Sequence, residues 1–383
     1  MKAVMYGAGN IGRGFIGKVF SESGYSVCFI DIAKSVVDIL NEENEYPVKI
    51  VSNEKTEEVI VKNVYAVNGM DTSAVADEIL NADIMATAVG VNVLPKIIKP
   101  ICEGLKRRFE ENRPLLNIII CENLIDADKY LLKLIEEEMG SGYTFWLNKN
   151  LGLVEASIGR MVPVMTEKMK EGSPLKIWVE PYDKLPVDKD AFKGDIPKLN
   201  GLVPFSPFGF YIERKLYIHN MGHAMCAYFG YQKGYEFIDQ AIADKEIYVL
   251  VKAAMEDSAK ALNAKYSIPL EEIMDNVEDL LFRFQNKVLG DTVKRVGRDP
   301  LRKLKKGDRL MGAALACEKQ GINPENIVKG IIAALKYDNP NDEAALSLKQ
   351  EIEKIGIEKT VQEICGIDNS YRFYGDIIEG YKG

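Results

Sequence analysis

Histidine and closely spaced cysteines are the scarcest features of this sequence. Only two histidines, His219 and His223, occur among 383 residues, and the six cysteines are scattered without a CxxC pair. A structural zinc site would therefore have almost no ligands to draw on, and we expect no metal site. Several cysteines lie inside apolar runs such as VCFID and NIIICEN, which predicts reduced, buried thiols.

Long apolar runs and an excess of positive charge are also absent. No apolar run approaches the ~20 residues that a membrane span needs, and the N-terminal MKAVMYGAGNIG has no signal-peptide core. The net charge of −8 argues against a nucleic-acid partner. We therefore expect a cytoplasmic protein that binds a small molecule, as a monomer or weak homo-oligomer, with neither a membrane nor a nucleic acid as partner.

Short apolar runs alternate with helical stretches in the first third of the chain. The strand-like runs lie at 2–6, 27–30, 83–89 and 116–121, and helical periodicity lies at 12–23, 33–42, 94–112 and 126–138. This alternation predicts an α/β fold, a Rossmann-type doubly wound parallel sheet covered on both faces. The β-branched segment 57–67 is expected to add an edge hairpin.

The character of the sequence changes after this region. Prolines are frequent between 163 and 207, where 176–183 predicts one strand and 194–210 predicts a loop. From 211 onward, apolar residues recur at helical spacing. We predict a Rossmann-type domain with an extension over 1–190, followed by a mostly α-helical substrate domain over 191–383.

The segment KAVMYGAGNIGRGF carries a G-x-G-x-x-G motif between a predicted strand and a predicted helix. In such a loop the first glycine permits a tight turn, the second lets the backbone approach a pyrophosphate, and the third packs helix against strand. The N–H groups at the helix start then hold the phosphates. The predicted phosphate-binding residues are Gly7, Ala8, Gly9, Asn10, Ile11 and Gly12.

Two polar residues complete the predicted cofactor site. Asp31 ends the second predicted strand, about 20 positions after Gly12, where a carboxylate accepts hydrogen bonds from the adenine ribose and repels a 2′-phosphate. This favours NAD over NADP, against the alternative of a tight turn with a surface aspartate. Asn123, after the fourth predicted strand, could reach the nicotinamide or the substrate, or could equally cap the helix that follows.

The helix RKLYIHNMGHAMCAYFG concentrates further reactive side chains. Lys215, His219 and His223 recur every four residues along one helical stripe, with Asn220 at its border. A lysine in apolar surroundings is a usable base, because loss of hydration favours its neutral form. The alternative is a solvated lysine at a helix start beside packed histidines.

Several of these segments together resemble the polyol-specific long-chain dehydrogenases over nearly the whole chain, and most closely the members that act on mannitol 1-phosphate. They are GAGNIGRGF, VGVNVLPKI, CEN, KLYIHNMGHAMCAYFG and RFQNKVLGDTVKRVGRDPLRKLKKGDRL. The resemblance implies NAD, no metal and interconversion of mannitol 1-phosphate with fructose 6-phosphate. It implies Lys215 as general base, Asn220 and His223 on the reacting oxygen, and Asn123 near the reacting centre.

A basic run at 294–303 is the candidate site for the phosphoryl group of a sugar alcohol phosphate. Arg298 and Arg302 are the candidates, because the planar guanidinium suits a phosphate. The alternative is a solvated helix end whose charges pair locally with Asp291, Asp299 and Asp308.

Two departures from the family pattern leave the substrate open. Residues 158–163 read IGRMVP where the family reads VDRIVP, so Gly159 stands in place of a substrate-side aspartate. A dehydrogenase of an unphosphorylated polyol or hexonate (mannitol, mannonate or altronate) therefore remains an alternative, and a non-catalytic NAD-binding sensor is another. His219 falls where the family is apolar, which predicts a packed, neutral histidine.

Overall fold

In the computed structural model, which describes residues 1–163 and 165–383, contacts divide the chain into two units, Met1–Gly209 and Phe210–Gly383. The predicted boundary between residues 190 and 191 lies inside the first unit. Leu185–Asp188 and Leu202–Phe205 lie on either side of that boundary and form a parallel pair. This pairing keeps the chain between them in the first unit.

The first unit is built on a parallel sheet. The strands in chain order are β1 (Lys2–Tyr6), β2 (Ser26–Asp31), β3 (Glu45–Val51), β4 (Thr56–Lys62), β5 (Val64–Asn68), β6 (Ile84–Thr87), β7 (Leu116–Ile120), β8 (Leu151–Glu155), β9 (Ile177–Val179), β10 (Leu185–Asp188) and β11 (Leu202–Phe205). Six of them form the main sheet in the order β5-β2-β1-β6-β7-β8. All five pairings are parallel, so the predicted Rossmann-type sheet is confirmed.

The helices of the first unit cover both faces of this sheet. They are α1 (Lys18–Glu22), α2 (Lys34–Glu43), α3 (Thr72–Leu80), α4 (Leu94–Glu110), α5 (Ala127–Met139), α6 (Thr144–Asn150) and α7 (Glu167–Lys170). Two buried clusters separate by strand face, since Ala3 and Met5 belong to one cluster and Val4 and Tyr6 to the other. Alternate residues of a strand point to opposite faces, so a strand apolar throughout is buried on both.

Three predictions outside the main alternation were wrong or incomplete. The segment 57–67 is not an edge hairpin, because β4 pairs with β3 while β5 joins the main sheet beside β2. Strands β3, β8 and β10 were not predicted, and β11 lies within a segment predicted as loop. The strand predicted at 176–183 is shorter, Ile177–Val179, and extends the small sheet of β4 and β3.

The second unit is helical, as predicted. Its α-helices are α8 (Gly209–Arg214), α9 (Met221–Gln232), α10 (Ile238–Ala243), α11 (Lys245–Tyr266), α12 (Leu270–Phe284), α13 (Val293–Gly297), α14 (Pro300–Lys303), α15 (Arg309–Lys319), α16 (Glu325–Leu335), α17 (Glu343–Ile355), α18 (Ile357–Thr360) and α19 (Tyr374–Lys382). A π-helical turn, Lys215–Asn220, joins α8 to α9. At the centre, Gly222 lets the Met255 side chain of α11 pack against α9, because a Cβ there would lie 2.5 Å from the Met255 sulfur.

All six cysteines are buried and, within the described residues, none forms a disulfide, as predicted. Within 1–163 and 165–383, no helix is long and apolar enough to cross a membrane. Across the same described residues, no three His, Cys, Asp or Glu side chains are grouped so that they could hold a metal ion.

Candidate active site

The glycine loop lies between β1 and the first helical turn, at the carboxyl edge of the sheet. Gly7 has φ +102°, and a Cβ there would lie 2.6 Å from the carbonyl oxygen of Ala88. A Cβ at Gly12 would lie 1.9 Å from the carbonyl oxygen of Gly7. Both glycines are therefore required by the chain itself, the first by its backbone conformation and the second by close packing.

Gly9 is different, and this difference tests whether the loop fits a dinucleotide. Its φ is not positive, and a Cβ there would meet no atom of the described residues within 4 Å apart from its own chain neighbours. Gly9 and Asn10 are also exposed. Among the described residues, no packing contact accounts for the missing side chain, whereas close approach of a pyrophosphate to the backbone does. The loop residues thus fit the group that their motif predicts.

Asp31 connects the glycine loop to the end of β2. Its Oδ2 accepts a hydrogen bond from Ala8 N at 2.7 Å, and its Oδ1 accepts one from Ala33 N at 2.9 Å. A carboxylate has about four acceptor positions, so each oxygen can still accept a ribose hydroxyl. Asp31 is therefore suited both to hold the loop and to bind a ribose.

Two large apolar side chains near Asp31 are exposed. Ile32 follows Asp31 and is 71% exposed, and Met70 follows β5 and is 77% exposed. Gly69, which precedes Met70, lies beside Ile32, since its N donates to Asp31 O at 3.0 Å and a Cβ there would lie 3.4 Å from Ile32. These two side chains offer apolar surface to a flat base beside the ribose position.

Asn123 follows β7 and is exposed. It does not cap the next helix, because α5 begins at Ala127 and its N-cap residue is Asp126. The capping alternative is therefore wrong. An exposed amide at the carboxyl end of a central parallel strand is in the region where ligands of such sheets bind.

Lys215 and Asn220 are the first and last residues of the π-helical turn between α8 and α9. Both are half-buried. A π-helix forms i→i+5 hydrogen bonds, so residues five apart, such as these two, stack one turn above the other. In an α-helix they would diverge around the axis. Lys215 does not begin its helix, because α8 precedes it.

His223 lies in α9 and is fixed by two side chains from other elements. Its ring stacks on Phe284 of α12, with centroids 4.9 Å apart and an interplanar angle of 13°. Its Nε2 is 3.2 Å from Oδ2 of Asp291, although the N–H is not directed along the line of a good hydrogen bond. Asp291 in turn accepts a bond from Nε of Arg295 at 2.7 Å.

Asp291 is the residue of this site that sequence reasoning missed as a partner of His223. Burial opposes its ionisation, but His223 and Arg295 outweigh burial and hold the pKa of Asp291 below its ordinary value. The sequence signalled only the local Asp291–Arg295 pair, four residues apart. The contact with His223 joins distant parts of the chain and leaves no such signal.

His219 packs inside the second unit rather than in an open site. It is 9% exposed, and its ring lies 5.8 Å from that of Phe284. Burial lowers its pKa well below the ordinary value, and the nearby charge of Arg283 adds to this effect. The prediction of a packed, neutral histidine is confirmed.

The basic run contains the local ion pairs that its alternative interpretation predicted. Arg302 donates to Asp299 at 2.9 Å and to Asp308 at 3.2 Å. Arg298 is exposed, while its carbonyl accepts a bond from the buried Lys303 ammonium. Two carboxylates therefore already hold Arg302, and Arg298 is the more accessible of the two candidate phosphate ligands.

Comparison with known families decides between the possible classes of dehydrogenase. Residues 1–201 match the model of the mannitol dehydrogenase Rossmann domain, and residues 209–372 match that of the mannitol dehydrogenase C-terminal domain. The chain belongs to the mannitol dehydrogenase family. The predicted class, an oxidoreductase acting on a polyol, is thereby confirmed.

Full-length relatives within the mannitol dehydrogenase family are closely similar. Mannitol-1-phosphate 5-dehydrogenase of Buchnera aphidicola is 38% identical, covering 99% of this chain and 98% of its own length. The enzyme of that name from Bacillus licheniformis is 35% identical, with 100% of both chains covered. The predicted resemblance is confirmed.

Solved structures share the mannitol dehydrogenase fold at low identity. The ternary complex of Pseudomonas fluorescens mannitol 2-dehydrogenase with NAD and D-mannitol has a TM-score of 0.78 at 16% identity, covering 100% of this chain and 91% of that one. A substrate-free D-sorbitol dehydrogenase has a TM-score of 0.84 at 15% identity, with the same coverage. These likenesses establish the fold.

Gly159, the departure from the family pattern, lies against Tyr182. A Cβ at Gly159 would be 3.2 Å from Cε1 and 3.5 Å from the hydroxyl oxygen of Tyr182. The next residue, Arg160, donates to the carbonyl oxygens of Glu180 at 2.9 Å and Gly14 at 3.3 Å. The Tyr182 ring thus occupies the space into which a side chain at position 159 would project.

Proposed function

We propose that this protein interconverts mannitol 1-phosphate and fructose 6-phosphate with NAD as the redox partner. Full-length relatives that carry the name mannitol-1-phosphate 5-dehydrogenase support this substrate pair, at 35–38% identity. Asp31 supports NAD, because a carboxylate at the ribose position repels the 2′-phosphate of NADP. The accessible Ile32 and Met70 side chains favour binding of the adenine base.

The observation that carries the proposal is the arrangement along one helix of the second unit. Lys215 and Asn220 are half-buried one π turn apart, and His223 follows in the first turn of α9. This sets a base and two hydrogen-bonding groups along the same short stretch. A π-helical turn inside an α-helix is a feature that frequently marks functional sites.

Each of these side chains has a role in alcohol oxidation. Bound NAD supplies the hydride acceptor, at C4 of its nicotinamide ring. Lys215 Nζ accepts the proton of the substrate hydroxyl as a general base. Asn220 donates a hydrogen bond to the oxygen as negative charge develops. His223, held by Phe284 and Asp291, orients the same oxygen.

The phosphoryl group of the substrate needs cations of its own. Arg298 and Arg302 are the proposed ligands, and Arg298 is favoured because it is exposed while Arg302 pairs with Asp299 and Asp308. Arginine–phosphate contacts are charge-assisted and frequently bidentate. Replacing Arg298 by Ala should raise KM for fructose 6-phosphate more than it lowers kcat.

The proposal is tested by following NADH oxidation with a panel of ketoses. Fructose 6-phosphate is compared with fructose, fructuronate and tagaturonate at equal concentrations. Activity confined to fructose 6-phosphate supports the proposed substrate. Activity confined to another ketose overturns the substrate while keeping the dehydrogenase chemistry.

A second candidate is oxidation of an unphosphorylated polyol or a hexonate, namely mannitol, mannonate or altronate. Gly159 supports this second candidate, because it replaces the substrate-side aspartate of the family and Tyr182 fills the space beside Gly159. The same panel separates the two candidates. A non-catalytic sensor of NAD would bind NADH and oxidise it with none of these ketoses.

A further inference from the structure

Glu122 lies between Cys121 and Asn123 at the carboxyl end of β7, and both oxygens of its carboxylate accept backbone hydrogen bonds inside the first unit. It is 6% exposed. Its Oε1 accepts a hydrogen bond from Val89 N at 2.9 Å, and its Oε2 accepts one from Gly90 N at 2.8 Å. A single side chain after β7 thus holds two successive backbone amides of the loop after β6.

The other side of that loop packs on the glycine loop. A Cβ at Gly7 would lie 2.6 Å from the carbonyl oxygen of Ala88 and 3.2 Å from Cγ1 of Val89. Ala88 N also donates to Tyr6 O at 2.9 Å. Residues 88–90 are therefore held between the loop that follows β1 and the carboxylate that follows β7.

This position matters because of the strand order. The chain runs outward from β1 through β2 to β5 on one side, and from β6 through β7 to β8 on the other. Ligands of open parallel sheets bind at the carboxyl ends of the strands where the order reverses, which here is between β1 and β6. Glu122 therefore holds the loop that borders this crevice.

We infer that Glu122 is a positioning residue, whose carboxylate fixes the Ala88–Gly90 loop and the adjacent Asn123 so that the nicotinamide end of the dinucleotide is aligned for hydride transfer. The inference rests on the proposed function and adds a residue to it. Glu122 acts through the loop and the neighbouring amide rather than by touching substrate. Misalignment of reacting groups by about 1 Å is enough to lower a rate by about a hundred-fold.

A carboxylate suits this role for an electrostatic reason. Successive backbone N–H groups near a residue with positive φ, such as Gly90 at +90°, form a concavity that binds anions. Glu122 supplies an internal anion to that concavity. The two amides are consequently unavailable to an external phosphate, so the phosphoryl group of the substrate must be bound by other residues.

The test is Glu122→Gln, which keeps the shape of the side chain but replaces one acceptor oxygen by an NH₂ group facing an amide N–H. We expect kcat for ketose reduction to fall about ten- to hundred-fold. The kinetic isotope effect with 4-deuterated NADH should rise, because hydride transfer becomes more strongly rate-limiting. The fluorescence enhancement of bound NADH at saturation should also fall, because the nicotinamide ring is less firmly held.

Glu155→Gln is the matched control. Glu155 ends the neighbouring strand β8, and its Oε1 accepts one backbone bond, from Ala127 N at 2.8 Å. The same substitution there should leave the isotope effect and the NADH fluorescence unchanged. Glu122→Asp, which keeps the charge but loses reach, should shift both readouts in the direction of Glu122→Gln and serves if the glutamine variant does not fold.

Wild-type values of the isotope effect and NADH fluorescence in the folded Glu122 variants would overturn the inference, whatever happens to kcat. The fluorescence readout needs no turnover. If the wild-type protein binds NADH but reduces no ketose, the proposed function fails, while a lower fluorescence in Glu122→Gln still supports the positioning role. Wild-type protein that gives no NADH signal would overturn both.

Discussion

His223 and Asp291 are in contact, with Nε2 of the imidazole 3.2 Å from Oδ2 of the carboxylate. The same carboxylate binds Arg295 through Oδ1. The Phe284 ring is nearly parallel to the imidazole ring of His223 and stacks on its face. The histidine is therefore oriented by two side chains from outside its own helix. This arrangement fixes the ring before any substrate is present, which is the preorganisation that charge stabilisation requires.

Replacing Asp291 by Asn should lower kcat/KM for fructose 6-phosphate about ten- to hundred-fold, because partners that orient a functional histidine contribute effects of this size. Asp279→Asn is the control, since that carboxylate also pairs with an arginine, Arg283, at 3.2 Å. Steady-state kinetics of both variants across pH provide the measurement. Equal losses in the two variants would contradict a specific role for Asp291.

Replacing Asp31 by Ala should weaken NADH binding and improve the relative use of NADPH. The repulsion of a 2′-phosphate disappears with the carboxylate, but so do its bonds to Ala8 N and Ala33 N. We expect the ratio of kcat/KM for NADH over NADPH to fall by about ten-fold or more, corresponding to roughly 1.4 kcal/mol. An unchanged ratio would show that Asp31 only supports the glycine loop.

Replacing Gly159 by Ala should destabilise the protein through Tyr182. The new Cβ would lie 3.2 Å from Cε1 of the tyrosine ring, closer than ordinary contact, and overpacking of this kind costs about 1 kcal/mol or more. In a Tyr182→Ala background the same substitution should cost close to nothing. Chemical denaturation of the four proteins of this cycle measures the coupling, and additive effects would contradict it.

Lys303 should make stability depend on pH in the alkaline range. It is 3% exposed, and burial, reinforced by Arg309 and Arg302, lowers its pKa from 10.5 to about 7. Between these values the unfolded chain binds more protons than the folded one, so the free energy of unfolding rises with pH. Below about pH 7 both states are protonated, and the cost of the buried charge is present in full.

Lys303→Met removes this titration. The free energy of unfolding of the wild type relative to the variant should therefore increase by a few kcal/mol from about pH 7 to about pH 10, at about 1.4 kcal/mol per pKa unit. Denaturation curves of both proteins at several pH values give the difference. A difference that does not change with pH would contradict the lowered pKa.

The parallel sheet could be predicted from the sequence because its strands are apolar throughout and alternate with periodic helices. Lys2–Tyr6 was predicted with its observed bounds, since a strand buried on both faces leaves a continuous apolar run. The prediction of an edge hairpin over 57–67 was wrong, because local alternation does not reveal which strand each residue pairs with. The two strands of this segment, β4 and β5, enter different sheets, which depends on distant residues.

Part of the candidate site could likewise be predicted from the sequence, and part of it could not. Gly7 and Gly12 follow a local motif, and the structure explains each by its own backbone. The stripe expected at Lys215, His219 and His223 assumed an α-helix throughout, whereas a π turn separates Lys215 from Asn220. The rings of His219 and His223 nevertheless lie 6.2 Å apart. Helix type depends on packing around the turn, and the contact of Asp291 with His223 depends on tertiary structure. Neither leaves a periodic signal in the sequence.

In the proposed reaction Lys215 takes the hydroxyl proton while hydride is transferred, and Lys215→Met removes this base. Lys245→Met is the control, because Lys245 is exposed at the start of α11 in the same unit. For mannitol 1-phosphate oxidation we predict a kcat about a thousand-fold lower in Lys215→Met, with NADH affinity unchanged and with Lys245→Met like the wild type. Turnover by Lys215→Met close to that of the wild type, or loss of NADH binding in place of turnover, would contradict a role of Lys215 as general base.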